Sequence, residues 1–406
     1  MNAAASPSRA TRALFALVVL VVTLAAAEGV GRVGYALLDR AREGRLPSKV
    51  FLKPYEMPDP ERPGNWVLRP DLAMTLAEAR ELMRKEGFVL SQQALERGAK
   101  TLGVPDGEVI FRTNAQGYKG PALDRSGRRP RVLAIGDSCT FGTLFDHFTW
   151  PRSAERELAR LGARAEVVNA GVNGYSPRNA LARLDEFRAL GPRVAVVYIG
   201  WNALFGDSRA VEGHMFALQR AARTVRSLLW MRGKTPQEIA LASYHRPKHP
   251  DPDAPEIARL ADYRPAFLSE VEALARGLGE AGTQVFLATL PGLYVRDVVP
   301  TPRALEFGHL PQFTENPYVV AAMAEGANAG LRELAQRLGV GLVDLDAWSR
   351  EALVPRDAFF IDSVHLTEQG QERIGVQIAR AVAPHLAGAD GAQAAGAPRS
   401  AHERTP

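Results

Sequence analysis

The stretch Arg131-Val-Leu-Ala-Ile-Gly-Asp-Ser138 is an apolar run that closes on glycine, aspartate and serine, and Cys139-Thr-Phe-Gly142 follows it. The run predicts a buried parallel strand, so Ser138 is expected where that strand turns into a loop and helix. In a parallel sheet, this position opens onto a crevice at the carboxyl edge of the strands. A hydroxyl placed there is a candidate nucleophile, provided that a base activates it.

Further apolar runs follow this strand and alternate with helical segments. The predicted strands are Arg131–Gly136, Ala165–Ala170, Arg193–Gly200, Thr283–Leu290 and Gly339–Leu345, and the predicted helices are about Pro151–Leu161, Pro177–Leu190, Ile257–Ala281, Tyr318–Leu338 and Thr367–Leu386. Continuous apolar strands separated by helices imply a parallel sheet covered on both faces. The expected fold is therefore of the α/β class, a three-layer α/β/α sandwich around a five-stranded parallel sheet.

Three later blocks of sequence carry candidate site residues. Asn169-Ala-Gly-Val-Asn-Gly174 and Gly200-Trp-Asn202 follow the second and third predicted strands, and Asp362-Ser-Val-His365 lies before the last helix. The histidine of the last block could take a proton from the serine of the first. The aspartate three residues before that histidine could fix its tautomer.

Each block has a simpler interpretation when it is taken alone. Gly-Asp-Ser is common in turns, Gly174 could be a turn glycine and Asn202 could be a helix cap. Asp362 and His365 could be a cap and a surface histidine of the final helix. The ordered set, with successive blocks at strand ends of one sheet, favours a serine site.

These four blocks, in this order, resemble the SGNH (GDSL-type) hydrolase family, in its membrane-linked bacterial form. The resemblance covers roughly Arg131 to Leu386 and implies a flavodoxin-like fold. It implies a catalytic triad of the nucleophile Ser138 with Asp362 and His365. It also implies an oxyanion hole to which Gly174 and Asn202 contribute. The family usually has aspartate directly after that asparagine, where this chain has Ala203.

The composition argues against several other kinds of site. No cofactor or metal is expected, because the sequence has no cluster with metal-ligand spacing and no glycine-rich phosphate loop. The formal net charge of +5 over 406 residues is too diffuse to indicate nucleic-acid binding. The single cysteine, Cys139, is predicted to be a small buried packing residue. His309 is predicted to be a surface histidine near the crevice.

The start of the chain predicts export. Arg9 and Arg12 precede the apolar run Ala13–Ala27, which is short for a membrane-spanning helix and fits a signal-peptide core. Gly29–Leu38 continues largely apolar, and chains that the resemblance covers often keep such a segment as an anchor. We expect residues 1–30 to be a single-pass anchor in the cell membrane, with secretion after cleavage as the alternative. Both place the catalytic domain outside the cytoplasm, in the periplasm.

The remaining regions are assigned as follows. Residues 31–130 are predicted to form an N-terminal extension that packs on the catalytic domain, residues 131–386, and to hold an amphipathic helix over Leu72–Glu86. Residues 203–256 form an insertion with a basic helical piece, Arg209–Trp230, that either overhangs the site as a lid or is a surface insertion without a role. The tail, residues 387–406, is predicted to be disordered.

The sequence favours a serine esterase that removes O-acyl groups from a glycan or a small ester outside the cytoplasm. One alternative is an O-acetyltransferase that acts on an exported polysaccharide, because the triad is the same and only the acceptor differs. Another is a catalytically inert domain that binds glycan in an envelope complex. The departure from the family pattern at Ala203 favours this interpretation. A flavodoxin-like nucleotide-binding module fits less well, because the loop after the first strand is a poor phosphate loop.

Overall fold

The structure, a computed structural model, describes residues 8–42, 46, 49, 51–86, 89–212, 216–235, 238–239 and 244–386. The chain divides into two compact units: Met1–Arg45 with Glu212–Ile239, and Leu46–Val211 with Ala240–Pro406. The predicted disordered tail, residues 387–406, lies outside the described residues.

The strands among the described residues are β1 (Glu56–Pro58), β2 (Trp66–Leu68), β3 (Ala73–Thr75), β4 (Val109–Arg112), β5 (Arg131–Gly136), β6 (Glu166–Gly171), β7 (Val194–Tyr198), β8 (Tyr244–His245), β9 (Gln284–Ala288), β10 (Leu310–Pro311) and β11 (Gly341–Val343). The helices are α1 (Arg9–Arg42), α2 (Leu76–Glu86), α3 (Val89–Leu102), α4 (Ser138–Phe141), α5 (Trp150–Arg160), α6 (Pro177–Leu181), α7 (Leu184–Ala189), α8 (Trp201–Gly206), α9 (Arg209–Glu212), α10 (Ala217–Met231), α11 (Pro255–Arg259), α12 (Leu268–Glu280), α13 (Pro302–Phe307), α14 (Pro317–Leu338), α15 (Leu345–Ala352) and α16 (Glu368–Val382).

The core of the second unit is a five-stranded parallel sheet in the order β11-β9-β7-β5-β6. Strand β7 is buried along its whole length, as a strand covered on both faces must be. Helices α5 and α16 pack together, and α12 packs with α6, α7 and α14 in a second group. The predicted three-layer α/β/α sandwich is confirmed.

The order of the strands explains where a site can form. The chain runs from β5 outward to β6 and then returns to the other side of β5 to form β7. The connections leaving the carboxyl ends of β5 and β7 therefore diverge, and a crevice opens between them. Across this edge, Gly136 at the end of β5 pairs with Gly171 of β6 and with Tyr198 of β7.

Three predicted helices differ from those observed. The segment expected as one helix over Ile257–Ala281 is instead α11 and α12, and Pro265 lies in the break, where a helix would need its missing N–H. The segment Pro177–Leu190 is likewise two short helices. The helix expected to start at Leu72 starts at Leu76, because the preceding residues pair with β4.

Helix α2 begins at Leu76 for a local reason. The backbone N–H and hydroxyl of Thr75 donate to the Glu78 carboxylate over 2.7 and 2.9 Å, and the Glu78 N–H donates to the Thr75 hydroxyl over 3.3 Å. This reciprocal capping box satisfies backbone donors that the first turn of the helix leaves open.

The first unit contains two described helices that contact each other. Helix α1 is long and apolar enough to cross a membrane, and signal sequences share that property. Helix α10 comes from the insertion and packs against α1. The backbone N–H of Ala217 donates to the Glu28 carboxylate over 2.7 Å, and the Arg220 guanidinium lies 4.3 Å from the centre of the Tyr35 ring.

Candidate active site

Ser138 begins a one-turn helix directly after β5. Asp137 caps this helix, since one carboxylate oxygen accepts from the Cys139 N–H over 2.9 Å. The other oxygen accepts from the Gly200 N–H over 3.3 Å, which ties the first sequence block to the third. Burial raises the pKa of Asp137, although these backbone donors oppose the shift. Sequence reasoning assigned no role to this aspartate.

The short helix α4 lies directly on the ends of two strands. A Cβ added to Gly136 would collide with Thr140, and one added to Gly171 would collide with the backbone of Thr140 and Phe141. Glycine at these two positions lets the backbone that carries Ser138 approach the sheet closely. Ser138 and Cys139 both belong to this helix.

Cys139 is a buried free thiol, as the sequence predicted. Its sulfur donates to the Val364 carbonyl over 3.5 Å. Burial raises the pKa of the thiol well above its ordinary value, so it holds its proton at neutral pH. Cys139 is therefore part of the hydrophobic core and does not present a thiolate.

The structure brings Ser138, His365 and Asp362 together, as the sequence analysis expected. His365 Nε2 lies 2.7 Å from Ser138 Oγ, and His365 Nδ1 lies 2.6 Å from Asp362 Oδ2. The other carboxylate oxygen of Asp362 accepts from the backbone N–H of His365 over 2.8 Å. The Asp-x-x-His spacing thus places both side chains on one tight loop before α16, facing the serine.

The charges of this group reinforce its geometry. Burial alone would lower the pKa of His365, but the neighbouring Asp362 carboxylate outweighs that effect and raises it. Burial would raise the pKa of Asp362, but His365 and His309 hold it well below its usual range. Asp362 is therefore ionised at neutral pH and stabilises a proton on His365.

Gly174 lies in a loop and Asn202 in helix α8, and a hydrogen bond joins these two segments. Gly174 has a φ of +82°, a left-handed conformation that glycine adopts without strain. Asn202, in the first turn of α8, donates from its side-chain amide to the Tyr175 carbonyl over 3.0 Å. The Asn202 side chain is therefore held against the loop that carries Gly174.

Residues of the N-terminal extension hold this same loop. The carbonyl of Asn173 accepts from the indole N–H of Trp66 over 2.9 Å and from the Lys49 ammonium over 3.2 Å. The Asn173 side-chain amide donates to the hydroxyl of Tyr55 over 2.9 Å. The Tyr175 hydroxyl donates back to the Trp66 carbonyl. No motif marks Trp66 in the sequence, and sequence reasoning missed it.

His309 is largely buried, although the sequence predicted a surface histidine. Its side chain is 20% exposed, and its Nδ1 lies 3.5 Å from the Asp362 carboxylate that also contacts His365. The backbone N–H of His309 donates to the Ser363 hydroxyl over 2.9 Å, and that hydroxyl donates to the backbone carbonyl of His309. Burial lowers the pKa of His309, although Asp362 opposes the shift.

Two aromatic residues of the insertion pack against His309. The ring of Tyr244 lies 4.6 Å from the His309 ring and the ring of Phe205 lies 5.4 Å from it, each in an edge-to-face arrangement. The His309 ring is also 6.3 Å from that of His365. Phe205 lies near the start of the insertion and Tyr244 in its second half, and their ring centres are 6.2 Å apart, so two distant parts of this connection meet beside His309.

A buried lysine supports the end of helix α4. Lys119 donates to the Phe141 carbonyl over 3.1 Å and to the Thr143 carbonyl, and its ammonium lies 4.2 Å from the centre of the Phe141 ring. Burial lowers its pKa to about 7. Within the described ranges, no group of three or more His, Cys, Asp or Glu side chains could hold a metal ion.

Comparison with known proteins adds the following. Residues 134–373 match the model of the GDSL-like Lipase/Acylhydrolase family. A lipase/acylhydrolase from Enterococcus faecalis is 17% identical in sequence, with 63% of this chain and 96% of that chain covered and a TM-score of 0.38. A catalytic mutant of an acetylxylan esterase from Geobacillus stearothermophilus is also 17% identical, with 64% and 94% covered and a TM-score of 0.38. A comparison with curated proteins gives no match.

Proposed function

We propose a function from one premise: this chain belongs to the GDSL-like lipase/acylhydrolase family and is a hydrolase of the esterase type. We propose that it removes O-acyl groups from a carbohydrate or another small ester, using Ser138, His365 and Asp362 as a catalytic triad. The observation that carries this proposal is the continuous pair of contacts, 2.7 Å from Ser138 to His365 and 2.6 Å from His365 to Asp362.

The proposed reaction begins with attack of Ser138 Oγ on the acyl carbonyl carbon. His365 Nε2 takes the hydroxyl proton, and Asp362 stabilises the imidazolium that forms. The imidazolium then protonates the leaving alkoxide, so the C–O bond of the ester breaks and an acyl-enzyme remains. Water attacks this acyl-enzyme with His365 again as the base, which releases the carboxylic acid and restores Ser138.

The tetrahedral intermediate of each step carries a negatively charged oxygen that needs donors. We assign these to the backbone N–H groups of Ser138 and Gly174 and to the side-chain amide of Asn202. The hydrogen bond from Asn202 to the Tyr175 carbonyl uses one of the two amide protons and leaves the second for substrate. Loss of one oxyanion donor typically lowers turnover by about 10²–10³.

The aromatic group beside His365 supports a carbohydrate as the alcohol part of the substrate. Phe205, Tyr244 and His309 offer ring surfaces near the nitrogen that protonates the leaving group. The C–H faces of a sugar ring are apolar and can cover such surfaces, whereas its hydroxyls remain free to hydrogen-bond. Tyr244→Ala should therefore raise KM for an acetylated sugar more than for an acetylated simple alcohol.

The site assignment can be tested with p-nitrophenyl acetate and the full chain in detergent. Ser138→Ala and His365→Ala should each abolish turnover while the protein stays folded. Ser269→Ala, which alters an exposed serine on α12, is the matched control and should leave turnover unchanged. Turnover that survives Ser138→Ala would refute the proposed nucleophile. Turnover only after a polysaccharide acceptor is added would favour an O-acetyltransferase.

Helix α1 supports a membrane location for this activity. Its apolar run, Ala13–Ala27, is exposed at every position but the last, and Arg9 and Arg12 precede this run. We propose that α1 is a single-pass anchor that keeps the catalytic domain on the extracytoplasmic side, with cleavage and secretion as the alternative. The mass of the mature protein distinguishes the anchored form from the secreted form, because cleavage would remove the apolar run.

A further inference from the structure

Helix α10 has one apolar side that no described residue covers. Leu218, Val225, Leu228 and Leu229 are between 46% and 65% exposed. At about 100° per residue, these four positions lie within roughly 100° of one another around the helix. Four large aliphatic side chains on one exposed face need a partner of low polarity.

The remaining surface of α10 is basic. Arg220, Arg223 and Arg226 lie on the helix, Arg232 and Lys234 follow it, and residues 216–235 contain no acidic residue. The Trp230 ring, 38% exposed, stands among them. A helix with aliphatic residues on one side and only arginines as charged groups on the other is typical of helices that lie in a membrane interface.

The start of α10 packs on α1. The Cβ of Ala217 fits against Gly31, where an added Cβ would lie 2.7 Å away, and the contact between Arg220 and Tyr35 continues along the same side. These contacts with α1 involve the first turn of α10, and the four aliphatic side chains remain exposed.

The position of Gly31 along α1 indicates how deep in a membrane the start of α10 would lie. Gly31 lies four residues after Ala27, the end of the apolar run, which corresponds to about 6 Å along the helix axis. The headgroup layer on each side of a bilayer is about 5–8 Å thick. If α1 crosses the membrane, Ala217 and the start of α10 lie among the headgroups.

We propose that α10 is a second membrane-binding element that lies on an anionic phospholipid surface. Its aliphatic face, Leu218, Val225, Leu228 and Leu229, enters the acyl-chain boundary, and Arg226 binds headgroup phosphates. This inference rests on the membrane location proposed for α1. A bilayer fits better than a protein partner, because every charge on the helix is positive and the apolar surface of α1, with which α10 packs, is itself exposed.

The test uses the full chain reconstituted in vesicles of phosphatidylcholine and phosphatidylglycerol. Single cysteines replace Leu229 on the aliphatic face, Ser227 on the opposite side of the same helix, and Val21 in α1. Each is labelled with an environment-sensitive fluorophore and exposed to lipids brominated in their acyl chains. Cys139 is buried, so the parent chain reports background labelling.

We expect strong quenching at Leu229→Cys and Val21→Cys, and weak quenching at Ser227→Cys. Quenching at position 21 with equally weak quenching at 227 and 229 would overturn the role of α10 while the anchor stands. No quenching at position 21 would overturn the anchor, and quenching at 229 alone would then show that α10 binds lipid without a spanning helix.

A further measurement separates lipid from a protein partner. Replacing phosphatidylglycerol by phosphatidylcholine should reduce quenching at position 229, and Arg226→Gln should do the same in the anionic vesicles. A probe at 229 that is shielded from aqueous iodide but not quenched by brominated lipid would indicate a protein partner and refute the proposal. Equal quenching in neutral vesicles would refute the proposed binding to anionic headgroups.

Discussion

The substitution Trp66→Phe tests whether the N-terminal extension holds the loop that carries Gly174. Trp66 is 3% exposed, and its indole N–H donates to the Asn173 carbonyl over 2.9 Å. Phenylalanine keeps an aromatic ring against Tyr175, whose ring centre lies 5.3 Å away, but removes the donor. Among the described residues, the Asn173 carbonyl then retains the Lys49 ammonium as its donor, at 3.2 Å.

The magnitude follows from that single lost bond. A buried acceptor left unsatisfied costs about 1–3 kcal/mol, and a typical hydrogen bond contributes about 0.5–1.5 kcal/mol net. Because Lys49 still contacts the carbonyl, we expect a loss near the lower figures, about 1–1.5 kcal/mol. If the loop must be ordered in the transition state, this corresponds to a fall in kcat of about 5- to 13-fold. The largest fall in kcat expected from this loop is about 10²–10³-fold, the effect of losing one oxyanion donor completely.

The assay compares kcat and KM for p-nitrophenyl acetate and the free energy of unfolding in urea. We expect kcat to fall with KM nearly unchanged, since the contact proposed for the Gly174 N–H is with the oxyanion and not with the ground-state ester. Trp348→Phe, which changes a half-buried tryptophan on α15, is the matched control. A less stable Trp66→Phe protein with the kcat of the wild type would refute the reasoning.

Three further predictions concern protons. Because Asp362 raises the pKa of His365 against the effect of burial, kcat/KM should rise with pH to a plateau, with a midpoint above about 6.5, and a flat profile would contradict histidine as the base. Asp362→Asn should lower kcat by about 10³–10⁴ and move that midpoint to lower pH, whereas an unchanged kcat would exclude the assigned role. Burial lowers the pKa of Lys119 to about 7 in the folded protein, so between about pH 7 and 10 the unfolded chain binds more protons and stability rises with pH. Lys119→Met should remove that rise in urea unfolding, and a rise that persists would place its origin elsewhere.

Local pattern was sufficient to predict the sheet and the three proposed triad residues. Continuous apolar runs mark buried parallel strands, and the predicted strand Arg131–Gly136 agrees with the observed β5 at both ends. Parallel strands present their carboxyl ends at one edge, so a serine after β5 had to lie in the crevice. Asp362 and His365 are three residues apart on one loop, and this spacing is short enough for the sequence to predict their contact.

Tertiary structure alone decided which distant residues support those groups. Trp66 reaches Asn173 and His309 reaches Asp362 across long separations in the chain, and no periodicity or motif links either pair. The insertion helix α10 packs on α1, although the sequence suggested only a lid or a surface loop. Hydrophobic period and capping patterns act over a few turns, and they therefore predict elements and local pairs. Contacts between separate elements depend on the order of the strands and the paths of their connections, which a single sequence does not display.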